Sequence, residues 1–303
     1  MPETNAAWRR HNLGYLLFTA SAIFLADKLR AVHAAGFVRL SDPQLALFVH
    51  IDPGGTRLTT LAARLGLTKQ SVVELVNRTE AMALVERHAD PKDKRGRIVQ
   101  LTAEGRQVVE VLRRAIAHGE RRFAAMFGGA FTEGFKLRFG TYSWIPVTGE
   151  DAPDEVAGPR GALLWSTGNL GRVLALASRR FARDALSVVH QHGWREVNEV
   201  LLALFRNLDL QGTRLTDLAA RAQMTKQSMR ELVDRAEQLG LVAREPDALD
   251  RRAKTIVFSP AGLAMLAQVQ IGIAQAEGRA EAAVGREFLA EARTRLLSYT
   301  NLS

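Results

Sequence analysis

Apolar residues recur at helical spacing over residues 13–35, and Gly36 closes the run, so the pattern predicts a long first helix. Ser41-Asp42-Pro43 opens a second helix to about Ile51, with Asp42 as its cap and Pro43 at its first position. Asp52-Pro53-Gly54-Gly55 then forces a turn. Thr59 is expected to cap a short helix ending at Leu65, Gly66-Leu67 to turn tightly, and Thr68 to cap a longer helix from Lys69 to about Met82. On that longer helix Val72, Leu75, Val76 and Thr79 share one stripe that must face a core, while Gln70, Glu74 and Asn77 project opposite. Two β-like runs, 84–88 and 97–101, flank the polar stretch 89–96 and predict a charged hairpin. Thr102 caps a long helix starting at Ala103, and an amphipathic segment around 131–142 ends the pattern.

The same pattern returns 157 residues later, almost without a gap. The block 57–87, RLTTLAARLGLTKQSVVELVNRTEAMALVER, aligns with 214–244, RLTDLAARAQMTKQSMRELVDRAEQLGLVAR, with roughly half or more of the positions identical. The register holds through Asn12-Leu13-Gly14 against Asn169-Leu170-Gly171, His33 against His190, Gly105 against Gly262 and Tyr142 against Tyr299. The chain therefore reads as domains 1–142 and 169–303 joined by a linker, 143–168, whose three prolines, four glycines and acidic centre break any regular element. Two copies of this length are a duplicated domain rather than a solenoid, and such pairs commonly face each other as in a homodimer. Arg9, Arg10 and His11 before the apolar run 13–26 mimic a secretory signal. The run is too short to span a bilayer, and its counterpart carries Arg179, Arg180, Arg183 and Asp184, so a buried helix and a cytoplasmic protein without membrane contact are expected.

Composition narrows the chemistry. The 303 residues carry 41 Lys and Arg against 32 Asp and Glu, a net charge of +9, and 34 of the basic residues are Arg. An Arg-rich surplus suits a polyanion, because the planar fork matches phosphates and guanine edges, although a GC-rich genome gives the same bias without function. The absence of cysteine excludes disulfides, Cys-ligated metals and thiol chemistry. There is no phosphate-binding Gly-rich loop, nucleophile elbow or HExxH, and His190-Gln191-His192 has no Cys or carboxylate at metal-ligand spacing. No enzyme, cofactor or metal site is expected.

The order of two helices, helix-turn-helix, charged hairpin and two long helices resembles the MarR family of winged helix-turn-helix regulators. The strings Asp90-Pro91-Lys92-Asp93-Lys94-Arg95-Gly96 and Asp247-Ala248-Leu249-Asp250-Arg251-Arg252-Ala253 are similar to that family's wing, and Leu101-Thr102-Ala103-Glu104-Gly105 and Phe258-Ser259-Pro260-Ala261-Gly262 to the helix start that follows it. The resemblance covers both copies nearly end to end. It departs from the family in being fused, since such regulators are usually homodimers of one domain. It implies a mainly α-helical protein of two tandem winged helix-turn-helix domains with long dimerisation-type helices, an intrachain pseudo-dimer working as a monomer. The expected function is a bacterial transcriptional repressor binding double-stranded DNA, and the alternative is an architectural or protein-interaction module of the same fold.

Within that resemblance the second helix of each motif is the reading element. Thr68, Lys69 and Ser71, repeated as Thr225, Lys226 and Ser228, are placed to hold phosphates. Gln70, Glu74 and Asn77, with Arg78, face the groove, and Gln227, Glu231 and Asp234, with Arg235, repeat the face. Gln and Asn can grip adenine in bidentate fashion, and Glu can accept from cytosine or buttress the Arg four residues on. Val73 becomes Arg230 and Asn77 becomes Asp234, so the two half-sites should differ. Lys92, Lys94, Arg95 and Arg97 charge the first wing, and Arg251, Arg252 and Lys254 the second. Arg95 or Arg252, oriented by Asp93 or Asp250, could enter a minor groove. The family's cleft for small aromatic acids or phenols implies a lining of Tyr15, Phe18, His33, Phe37 and Phe48, with His190, Trp194 and Phe205 in the second copy. The plainer reading of these aromatic residues is core.

Overall fold

The computed structural model describes residues 12–90, 93–143, 168–222, 224–247 and 254–301, the side chains of 93–95 excepted. The first copy runs α1 (Leu13–Ala34), α2 (Asp42–His50), β1 (Thr56–Arg57), α3 (Leu58–Leu65), α4 (Lys69–Glu80), β2 (Val85–Asp90), β3 (Asp93–Leu101), α5 (Ala103–Phe127) and α6 (Gly129–Ser143). The second runs α7 (Leu170–Gln191), α8 (Glu199–Asn207), β4 (Thr213–Arg214), α9 (Leu215–Arg221), α10 (Lys226–Gln238), β5 (Val242–Pro246), β6 (Lys254–Phe258), α11 (Pro260–Val284) and α12 (Arg286–Asn301). The chain is thus mainly helical and holds two winged helix-turn-helix motifs. The expected linker lies outside the described residues apart from its two ends.

Two expected caps shift by a residue or two. Ser41, not Asp42, caps α2: its backbone N–H donates to Gln44 Oε1 at 3.0 Å in a capping box, and Asp42 becomes the first helical residue. Arg57, not Thr59, precedes α3, because β1 runs directly into the helix. That two-residue strand is the element the pattern does not announce. It pairs Thr56 with Val99 and Arg57 with Ile98, giving a three-stranded antiparallel sheet in the order β1-β3-β2, and β4-β6-β5 repeats it with Thr213 opposite Ile256.

Each copy builds its own core from matched positions. Val32, Phe48, Leu61, Val76, Val85 and Val99 are buried together in the first, and Val189, Phe205, Leu218, Val233, Val242 and Ile256 in the second. The repeated glycines at the start of α5 and α11 have a steric cause. A Cβ on Gly105 would overlap the Leu84 carbonyl, and one on Gly262 the Leu241 carbonyl, so each long helix starts hard against the residue that opens the hairpin.

The chain divides into two compact units, but not at the linker. One is Ala20–Leu176, and the other is Met1–Thr19 together with Ala177–Leu302. The opening turns of α1 therefore belong with the second copy's elements, and those of α7 with the first copy's. In the second unit the Leu13 N–H donates to Glu277 Oε1 at 3.2 Å, and in the first the Leu170 N–H donates to Glu120 Oε1 at 2.6 Å, so one carboxylate on each long helix caps the incoming helix.

Candidate nucleic-acid interface and an aromatic pocket

The reading helices begin alike because Thr-Lys-Gln-Ser begins both. The Thr68 hydroxyl accepts the Ser71 N–H at 3.1 Å and Thr225 accepts that of Ser228 at 3.0 Å. In each pair the two hydroxyls also bond each other, at 2.8 and 2.9 Å, so part of the polar capacity expected for phosphates is used by the cap. Helix α4 buries Val72, Leu75, Val76 and Thr79. It leaves Lys69, Gln70, Ser71, Glu74, Asn77 and Arg78 exposed and Val73 half-buried. Helix α10 buries Met229, Val233 and Ala236 and exposes Lys226, Gln227, Arg230, Glu231 and Arg235, with Ser228 and Asp234 half-buried.

Several of these side chains are already positioned. Gln227 Nε2 donates to Glu231 Oε1 at 2.9 Å, which leaves the Gln227 carbonyl oxygen outward. Arg235 bonds Glu196 rather than Glu231, so the expected buttress between positions four apart is replaced by a longer tie. Sequence reading missed the partner of Asn77: Arg87, from β2, donates to its Oδ1 at 2.6 Å and to Glu80 at 2.5 Å. In the second copy Arg244, from β5, bonds Asp234 and Glu237. An Arg one hairpin strand away therefore fixes the end of each reading face. With its oxygen committed, Asn77 offers its NH2 group outward. The bidentate adenine grip expected of Asn77 needs that oxygen as well.

The hairpins are braced at their base. Arg57 on β1 pairs with Asp90, and Arg214 holds Asp247 through two bonds of 2.8 Å, with Thr255 Oγ1 adding a third at 2.9 Å. The signal in the sequence is the Arg that opens each repeated block and an Asp 33 residues on. Of the wing cations, Arg97 and Lys254 are exposed at the hairpin strands. Lys92, Arg251 and Arg252 fall outside the described residues, as do the side chains of Lys94 and Arg95.

The residues read as a ligand cleft separate into three environments. His33 Nε2 meets the Leu40 carbonyl at 2.9 Å and His190 Nε2 the Val197 carbonyl at 2.7 Å, so both rings fasten a helix end to the segment beyond it. Phe48 is fully buried in the first core, and Phe37 and Trp194 pack at the core edges. Tyr15, Phe18 and Phe205 instead line a cavity of about 100 Å³ inside the second unit, walled by the start of α1, by α7, α8 and α11.

Sequence reading did not single out the polar centre of that cavity, Arg206. Its guanidinium carbon lies 4.9 Å from the Phe18 ring centroid and 6.0 Å from that of Tyr15. Burial pulls its pKa below the usual arginine value, against the opposing influence of Tyr15 and Glu199. The available signal is the comparison of copies, since Val49 occupies the matching position in α2. In the first unit the matching region carries its own cations. Burial lowers the Lys28 pKa against the pull of Asp42. His50 is lowered to about 4 by burial, with Arg172 and Arg64 adding to the effect and Asp52 opposing it.

No helix among the described residues is long and apolar enough to cross a membrane. A MarR family model matches residues 40–96 and 199–253, one stretch in each copy. The transcriptional regulator HosA of Escherichia coli O111:H- is 39% identical over 71 residues, which are 23% of this chain and 53% of that protein. The chain thus spans about half the length of that curated relative. Among solved structures, the transcriptional repressor CouR bound to a 23-mer DNA duplex is 26% identical, covering 43% of this chain and 91% of that one with a TM-score of 0.36. The PcaV transcriptional regulator from Streptomyces coelicolor, in complex with its natural ligand, is 31% identical over 28% of this chain and 62% of that one, with a TM-score of 0.25. The chain thus carries a MarR family match on the second helix of each helix-turn-helix and its hairpin, and it holds the winged helix-turn-helix twice in tandem.

Proposed function

We propose that this chain is a transcriptional repressor that binds double-stranded DNA in sequence-specific fashion, one chain reading two non-identical half-sites, and that a small aromatic effector relieves repression. The observation that carries the reading is the duplicated, exposed polar face of α4 and α10. Each is capped by Thr, fixed by an Arg from its hairpin and followed by a basic wing. A solvated helix face needs none of that bracing, whereas a face that must meet base edges in register does. Thr68, Lys69, Ser71 and their repeats Thr225, Lys226 and Ser228 sit where phosphates flank such a helix. Gln70, Glu74, Asn77, Gln227, Arg230, Glu231 and Asp234 sit where bases do. The wings, through Lys92, Lys94, Arg95 and Arg97 and through Arg251, Arg252 and Lys254, supply charge to the backbone or minor groove. The aromatic cavity beside Arg206 supports the effector part of the reading.

Selection of bound duplexes from a random library tests this. An enriched site with two related but unequal halves is expected. A perfect palindrome would count against unequal readers, and a flat profile would point to an architectural module of the same fold.

A further inference from the structure

We propose that effector binding in this chain is one-sided: the second compact unit holds a site for a single small amphipathic carboxylate, selected by Arg206, and the first unit holds none. The inference rests on the effector reading above and gives it a ligand class and a stoichiometry.

The pocket opens to solvent at Phe18, which is half exposed. Its walls are mostly apolar, including Phe181, Leu202, Leu266, Val269 and Ile273. Into this wall α8 places a guanidinium that makes no hydrogen bond or ion pair among the described residues and rests only against the rings of Phe18 and Tyr15. A half-buried cation with no hydrogen bond or ion pair among the described residues is a ready point for a ligand that brings negative charge and acceptors. A planar guanidinium is matched best by a carboxylate, through two parallel bonds. Glu199 does not fill the role: it is exposed at the rim and forms no ion pair with Arg206. The volume, about 100 Å³, is of the order that accepts one ring, since an apolar cavity of about 150 Å³ takes up benzene. Phe18 and Tyr15 offer that ring a flat shelf. The chemistry that fits is an anionic head on a compact flat or branched apolar body.

Exchanging each lining residue for its repeat mate 157 residues away shows how far the matching region of the first unit has diverged. Arg206 becomes Val49, Tyr15 becomes Arg172, Phe18 becomes Ala175, Ala185 becomes Lys28 and Glu199 becomes Asp42. The shelf is gone. Lys28 feels Asp42 as Arg206 feels Glu199, and Arg172 Nη1 lies 3.5 Å from His50 Nε2, so the first unit keeps cations but places none at the Arg206 position. An incoming carboxylate there would lack both the stacking surface of Tyr15 and Phe18 and a guanidinium at position 49. A homodimer of one domain must carry its ligand site twice. A fused chain is free of that constraint, and here the two positions have taken different side chains.

Calorimetric titration of the full chain with benzoate, in the absence of DNA, tests the inference, with benzamide as the uncharged isostere. Expected are one benzoate per chain, benzamide binding at least tenfold weaker, a tenfold or greater loss in both Arg206→Val and Arg206→Gln, and no change in Lys28→Ala. Two equivalents per chain, equal affinity for benzamide, wild-type affinity in both folded Arg206 variants, or no uptake of benzoate and of a panel of small aryl and branched aliphatic carboxylates would each overturn it. Fluorescence anisotropy of a selected operator separates the two readings. One equivalent of benzoate that leaves operator binding unchanged would remove the effector reading while keeping the site, whereas two equivalents that release the operator would do the reverse.

Discussion

Arg87 on β2 donates to the side-chain oxygen of Asn77 on α4 at 2.6 Å, joining the hairpin of the first copy to the reading face of its own helix. Arg244 makes the matching bond to Asp234 in the second. The Arg87 bond couples the hairpin strand to α4. Arg87→Ala is expected to cost about 1 kcal/mol of stability, the scale of a partly exposed charged hydrogen bond. It should also broaden base preference at the position Asn77 faces, because the freed amide can turn over. Repeating the duplex selection with the variant checks this, and an unchanged preference would show that the bond does not orient Asn77.

Arg230 stands where the first copy has Val73, and it is exposed on α10. Arg230→Val is expected to make the selected site closer to a palindrome and to reduce discrimination at one base pair by about 1–3 kcal/mol, the worth of a bidentate guanine contact. Competition binding against single-base variants of the site measures it.

The wings should reveal themselves through salt. Changing Arg95 and Arg252 to Ala is expected to weaken binding across sequences and to flatten the plot of log affinity against log salt by about one unit for each phosphate that the variant no longer neutralises. Affinities at a series of potassium chloride concentrations give the slope, and an unaltered slope would refute a DNA role for these hairpin residues.

Ala83 adopts a left-handed backbone with φ of 57°, and its counterpart Gly240 adopts φ of 70°. The same turn joins each reading helix to its hairpin, but only the second copy has the residue the geometry favours. Ala83→Gly is expected to stabilise by about 0.5–1 kcal/mol and Gly240→Ala to destabilise by a similar amount, since the position beside Gly240 is open and backbone strain alone operates. Urea unfolding provides both numbers.

His50 gives a pH signature. Its pKa falls from 6.5 to about 4 on folding, mainly through burial and then through Arg172 and Arg64. Between those values the unfolded chain binds the extra proton, so stability rises with pH across this window and is complete above about 6.5. The contribution is no more than about 3 kcal/mol, at about 1.36 kcal/mol for each unit. His50→Asn, which copies Asn207, should flatten the dependence between about pH 4.5 and 6.5 in urea titrations, and a variant as pH-sensitive as the parent would contradict the assignment.

What could be read from the chain, and what could not, follows from the range of each interaction. The stripe Val72, Leu75, Val76 and Thr79 and the cap at Thr68 are local and periodic, and α4 has them as expected. Strand β1 is two residues long, too short to show a period, and exists because β3 offers it an edge. The bonds of Arg57 to Asp90 and Arg87 to Asn77 depend on where a hairpin folds back, which spacing alone does not state. Arg206 sits in a helix whose pattern reads as core. It becomes visible once the copies are laid over each other, because one cation replaces a valine in an otherwise apolar row.

The mixed ancestry of the two compact units limits how this protein can be taken apart. A cut anywhere in 143–168 would return the two sequence copies, but neither would be a whole folding unit: residues 169–303 alone would lack Leu13, Tyr15 and Phe18, and with them one wall of the cavity and the helix start that Glu277 caps. Separate halves should therefore fold and bind effector only when supplied together. Each copy thus completes the other's unit, and two genes encoding the halves would serve only if both products were made together.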